Sequence, residues 1–177
     1  MKRKLRKMLG SWDAECTQSL VKLIDTQSKR TICRWCIDYA EFAILPIFEE
    51  RCPGDGRPRM ALNAANRYLE GKVRFQEVKD IILNECHAAA RELEGDPAAQ
   101  AAARAIGQAS ASVHTLSHSV ALYFYGAAAV AYSTLGCDAG ADEYERMAEE
   151  ECARMEAALR SVAVPDEKDP AKIKWGC

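Results

Sequence analysis

The sequence predicts an all-α fold, a single-domain bundle of about seven helices. Apolar residues recur at steps of three and four in one segment after another, strand-like alternation is nearly absent, and Gly-, Pro- and Asp-containing stretches divide the segments. Ser11 is placed to cap the first helix, whose stripe is Trp12, Cys16, Leu20, Leu23 and Ile24. The second starts near Ser28 and runs to about Leu45. Ile32, Trp35, Cys36, Ile37, Tyr39, Phe42, Ala43 and Ile44 make it apolar almost all round, the pattern of a central buried helix. Pro46 should kink or restart it for a short turn ending near Arg51. Two glycines and two prolines in "CPGDGRPR" forbid further helix, and Pro58 opens the third, which ends near Glu70 before Gly71.

Phe75, Val78, Ile82, Cys86, Ala89 and Leu93 mark the fourth helix, ending at Gly95. Asp96 caps the fifth with Pro97 in its first position, and the Ala-rich stretch after it lets neighbouring helices approach closely. Around "VHTLSH" the chain breaks. Thr115 is placed to cap a sixth helix that runs to Leu135, with Gly136 closing it. The last helix, from about Ala141 to Val164, is more charged and belongs on the outside, with Tyr144, Met147, Cys152, Met155 and Leu159 facing inward. The division expected is one helical domain, 1–164, and an irregular tail, 165–177, anchored by Ile173 and Trp175.

Composition narrows the function classes. A chain of 177 residues with 49% hydrophobic and 28% charged residues is long enough to bury a core, and its net charge of −2 supplies no field for nucleic acid or membrane. The run "MKRKLRK" reads as a solvated end, with contact to an acidic partner as the alternative. No apolar core of an export signal comes after it. The longest apolar run, 120–132, is too short to span a bilayer. The expected location is therefore the cytoplasm, with the eight cysteines as reduced thiols and small hydrophobes.

Two motifs invite chemistry. "CRWC", Cys33 and Cys36, has the spacing of a redox dithiol or half a zinc site, and "HTLSH" puts His114 and His118 at i and i+4. The cysteine pair lies inside a helix with no βαβ pattern around it, which argues against redox chemistry. A domain of this size needs no zinc to fold, and i, i+3 is also core-packing spacing. Arg34, Asp38 and Glu41 form one stripe on the second helix. Either that stripe faces solvent or it is buried with partners. The candidate polar cluster is Asp38, Glu41, Arg57, Arg59, His87, His114 and His118, suited to a metal or to acid/base work. The Glu-x-x-His pattern of di-iron bundles is missing, as are nucleophile-elbow, P-loop, zincin and dinucleotide motifs. The residues by themselves call for no metal, no cofactor and no catalytic site.

An ordered series carries a resemblance: "AEFAILPIFE", then "PGDGRPRMA", "HAAAR", "AAQAAARA" and the H-x-x-x-H of His114 and His118. With "GSWDAECTQSLVKLIDTQSK" and "VAVPDEKDPAKIKWGC" at the two ends, nearly the whole chain resembles the Imm-5-like family of bacterial immunity proteins. The resemblance implies an all-α immunity protein that binds a cognate toxin in the cytoplasm and blocks it. The expected partner surfaces are the loop 53–59 and the acidic face of the last helix, Asp142, Glu143, Glu145, Glu149, Glu150 and Glu151. That face is either an ordinary solvated one or a mimic of nucleic acid towards a basic nuclease. The alternatives are a helical metal- or small-ligand-binding enzyme built on the carboxylate/histidine cluster, and a bundle that self-associates as a homodimer with cysteines packing the interface.

Overall fold

A computed structural model describes residues 5–175. Residues 1–4 of the basic run and Cys177 lie outside them. Seven helices carry the architecture, and no strand forms among the described residues. α1 is Glu15–Ile24. α2 is a continuous rod of Lys29–Tyr39, a π-helical segment Ala40–Ile44, and Leu45–Arg51. α3 is Arg57–Leu69. α4 is composite in the same way: Phe75–Ile81, a π-helical segment Ile82–Cys86, and His87–Glu92. α5 is Pro97–Ala111, α6 His118–Leu135 and α7 Ala141–Val162.

The caps explain most boundaries. The Ser28 hydroxyl accepts from Thr31 N at 3.4 Å, and the Asp96 carboxylate accepts from Ala99 N at 3.0 Å with Pro97 in the first turn. Gly71 and Gly136 end their helices at φ +72° and +73°. Two starts differ from expectation. α1 begins at Glu15, not after Ser11, because Trp12 is drawn away to pack on Trp175 with ring centroids 5.8 Å apart. α6 begins at His118, not after Thr115. Here His118 N and Ser119 N reach back to the carbonyls of Thr115 and Leu116, a tight turn that uses no side-chain cap.

Pro46 does not break α2. Proline offers no N–H to the carbonyl four residues back, and the widened π segment just before it shifts the hydrogen-bond ladder so that the rod continues. The same shift rephases the surface. Phe42, expected among the buried residues of this helix, stands 85% exposed, whereas Phe48 is fully buried.

α5 is the hub. It packs most closely on α6 and also touches α2, α3 and α4. Its buried alanines, Gly107 and Ser110 keep that face thin, so the neighbouring helices come close. On α6, an added Cβ at Gly126 would lie 3.3 Å from Ile44 Cδ1. α7 closes the bundle against α6 and α1. Both ends of the described chain are tied down. Leu9 is buried, with its N–H donating to Phe124 O, and the Tyr132 hydroxyl donates to Arg6 O at 2.6 Å. The tail is held at α1: Ala171 N donates to Gln27 O at 2.8 Å and Trp175 Nε1 to Asp25 at 2.9 Å. The Gln27 amide pairs with both backbone groups of Val164.

Candidate functional site

The seven polar residues singled out in the sequence fall into three places. Asp38 and Glu41 lie on an exposed face of α2. Burial by neighbouring atoms is the main influence on Asp38 and raises its carboxyl, with Glu41 adding to the rise and Arg34 opposing it. Glu41 faces Arg59 at 3.7 Å, and Arg59 forms two hydrogen bonds with Glu49, of 2.7 and 2.9 Å. Arg57 lies apart from both. It holds Asp55 within its own loop and reaches Glu92 on α4 with both terminal nitrogens, at 3.1 and 2.7 Å. These bonds hold the Asp55 and Glu92 carboxyls below their usual range. The loop 53–59 is thereby fastened to the end of α4.

His87, His114 and His118, all three histidines of the chain, line one cleft between α4, α5 and the turn before α6, with a volume of about 250 Å³. Each ring is set by a different contact. His87 lies against the bare backbone of Gly107, where an added Cβ would sit 2.6 Å from its Cε1. His114 stacks on Phe75 with centroids 4.2 Å apart and planes at 23°. His118 Nδ1 meets Gln108 Oε1 at 2.6 Å, which makes Nδ1 the protonated nitrogen and leaves Nε2 an acceptor. The remaining walls are Ile82, Leu83, Ala111 and Lys79.

Burial lowers the pKa of His87, reinforced by Arg91, Arg104 and His118; burial and His114 lower that of His118. The unfolded chain therefore binds more protons than the folded one just below the ordinary histidine value of about 6.5. Stability from this source is complete above about pH 6.5 and is lost as the pH falls towards the folded values. The denaturant midpoint should thus begin to drop before the carboxylates titrate. His87→Asn should flatten that first limb. An identical limb in the variant would refute the assignment.

Sequence reading missed a second polar group. Glu151, expected on the acidic outer face of α7, is buried at 1% exposure. Its Oε1 accepts from the Tyr39 hydroxyl at 2.7 Å and its Oε2 from Arg154 Nε at 2.8 Å. Burial and the adjoining Glu151 charge push the Tyr39 phenol well up. Its phase was the available signal: residue 151 lies three after Ala148 and four before Met155, both buried. The triad floors an open groove of about 630 Å³ walled by Phe42, Ala43, Ile47, Val130, Met147 and Ala158.

Four of the cysteines, Cys33, Cys36, Cys86 and Cys152, belong to the core. Cys33 and Cys36 of "CRWC" are fully buried, Cys33 donates to Ser112 O at 3.3 Å, and burial pushes both thiols up, against thiolate chemistry. Cys86 donates to Ala103 O, and burial raises it to about 12. Among the described residues, Cys137 alone is an exposed cysteine, and no group of three His, Cys, Asp or Glu is placed to hold a metal ion. No described helix is long and apolar enough to cross a membrane.

The fold and its surfaces define an all-α bundle whose open features include a histidine cleft and an apolar groove. The chain belongs to the family described as Imm-5 like putative immunity protein, whose model matches residues 22–158. That span contains all the histidines and both faces of the groove. No curated protein and no solved structure matches.

Proposed function

We propose that the chain is an immunity protein that binds a cognate protein toxin in the cytoplasm and neutralises it, acting by binding rather than catalysis. Beyond family membership, the observation that carries this reading is Phe42. Its ring is 85% exposed on a continuous helix, beside a groove with apolar walls. Burying such a ring in a partner is worth roughly 1.5–3 kcal/mol, and the fold itself forgoes that gain. Exposed carboxylates on the same two helices, Asp38 and Glu41 on α2 and Glu149 and Glu150 on α7, suit a basic toxin face. The test is one-to-one capture of the toxin domain encoded beside this chain, together with rescue of cells that express that toxin. Phe42→Asp should weaken capture at least ~tenfold without changing the fold. Full capture by the variant would move the interface elsewhere, and failure of the unaltered chain to bind any neighbouring toxin would overturn the reading.

The second reading, a helical metal- or small-ligand-binding enzyme, is favoured by the convergence of the three histidines. Its carboxylates, Asp38 and Glu41, do not line the histidine cleft. Elemental analysis tests the metal version: less than ~0.1 metal per chain, with the fold unchanged in chelator, removes it. A homodimer with cysteines at its interface is tested by sizing in reductant.

A further inference from the structure

We infer that the cleft walled by His87, His114 and His118 is a binding site for a small organic anion, a carboxylate carried on a flat apolar body. This goes beyond toxin neutralisation and stands whether or not a toxin is bound.

The cleft is built at a cost to the helix that floors it. Glycine is a poorer helix former than alanine, and α5 is otherwise rich in alanine. At position 107 alanine would collide with the His87 ring, so glycine keeps that ring seated. The π segment Ile82–Cys86, of a kind found at functional sites, delivers His87 to this position. The His87 nitrogens have no hydrogen-bond partner among the described residues, nor are they sealed from solvent. They form the ring edge that rests on Gly107, 3.0 and 3.4 Å from where its Cβ would stand, at the wall of the cleft.

The lining holds one permanently charged side chain, and it is a cation. Lys79 is that side chain, and Arg91 and Arg104 act on His87. The lining contains no aspartate or glutamate. Such a field favours an anion and opposes a metal cation, in keeping with the lack of a three-ligand set among the described residues. The His87 N–H and the Lys79 ammonium are donors a carboxylate needs, whereas His118 spends its N–H on Gln108. The rest of the wall is apolar, and the stacked Phe75–His114 pair supplies a flat face. Leu83, 46% exposed, gains a reason to be there. A volume of about 250 Å³ falls below the roughly 300 Å³ where sites for drug-sized ligands begin, so the occupant is small.

The test titrates sodium benzoate into the full chain and monitors the histidine ring resonances by NMR, with inorganic phosphate and zinc chloride as parallel probes. Benzoate should shift His87 and His118 saturably, raise the pKa of His87, and bind at least ~tenfold more tightly than phosphate, because only benzoate buries a ring. Lys79→Ala should weaken benzoate about fivefold, as the loss of one rim charge does. Gly107→Ala should displace His87 and abolish its shift. If Gly107→Ala fails to fold, Lys79→Ala alone decides. Histidines unmoved by benzoate, phosphate binding as tightly as benzoate, a Lys79→Ala variant with unchanged affinity, or zinc moving the three rings where benzoate does not would each overturn the site.

Discussion

Replacing Gly10 by alanine should cost about 3 kcal/mol, among the largest losses available from a single added methyl group. Two effects combine. Gly10 has φ +84°, a left-handed conformation that strains any residue with a Cβ by roughly 1–2 kcal/mol. The new Cβ would also meet the hydroxyl of Tyr123 and lie 2.9 Å from its Cζ. Tyr123 is fully buried in α6, so the ring has nowhere to go and overpacking adds about 1–3 kcal/mol. Gly71 is the control, since φ is +72° there but the space is open. Gly71→Ala should therefore cost only the strain. The Tyr123 hydroxyl is buried with no hydrogen-bond partner among the described residues, so Tyr123→Phe should be neutral or slightly stabilising. In the Gly10→Ala background it should recover part of the loss, not all, because Cζ remains. Chemical denaturation measures each step, and equal losses at Gly10 and Gly71 would show that Tyr123 plays no part.

Glu151→Ala should be comparably damaging, also about 3 kcal/mol. It leaves the Tyr39 hydroxyl without its acceptor and opens a void between α2 and α7, each worth about 1–3 kcal/mol. Tyr39→Phe alone leaves one carboxylate oxygen unpaired and should cost about half as much. The double variant should fall short of the sum by about 1 kcal/mol, because both changes remove one shared hydrogen bond. Arg154→Ala tests the other oxygen. Arg154 is half exposed, so water replaces part of what is lost and the cost should be the smallest of the three. Strict additivity of Tyr39→Phe and Glu151→Ala would mean that the bond between them contributes nothing.

The sequence announces its helices wherever the signal is local. Ser28, Asp96, Pro97, Gly71 and Gly136 do what their chemistry predicts. Ser11 and Thr115 had equally good local credentials, but contacts from distant residues and a tight turn took over there. Periodicity also assigned Phe42 to the core, because a constant step of 3.6 residues carries no allowance for a π segment. The histidine cleft was half legible. His114 and His118 are neighbours in sequence, whereas His87 joins them only through Gly107 and Gln108 of an intervening helix. A lone glycine in an alanine-rich helix was the clue to that meeting. Asp38 and Glu41 looked uncomfortable in so apolar a helix, yet they face solvent. The carboxylate that needed partners was Glu151, third in a run of glutamates where only helical phase separates it from its neighbours.

Each π segment amounts to a helix holding one residue more than its length requires. The helix beyond it is turned by about 100°, one residue's step round the axis. A codon gained or lost between positions 40 and 44, or between 82 and 86, would leave α2 or α4 unbroken while changing which side chains point outwards beyond it. The exposed Phe42 ring stands within the first of these segments, and His87 of the cleft directly after the second. The outward faces of α2 and α4 are therefore set by the length of these segments, whereas α5 is packed against four neighbours.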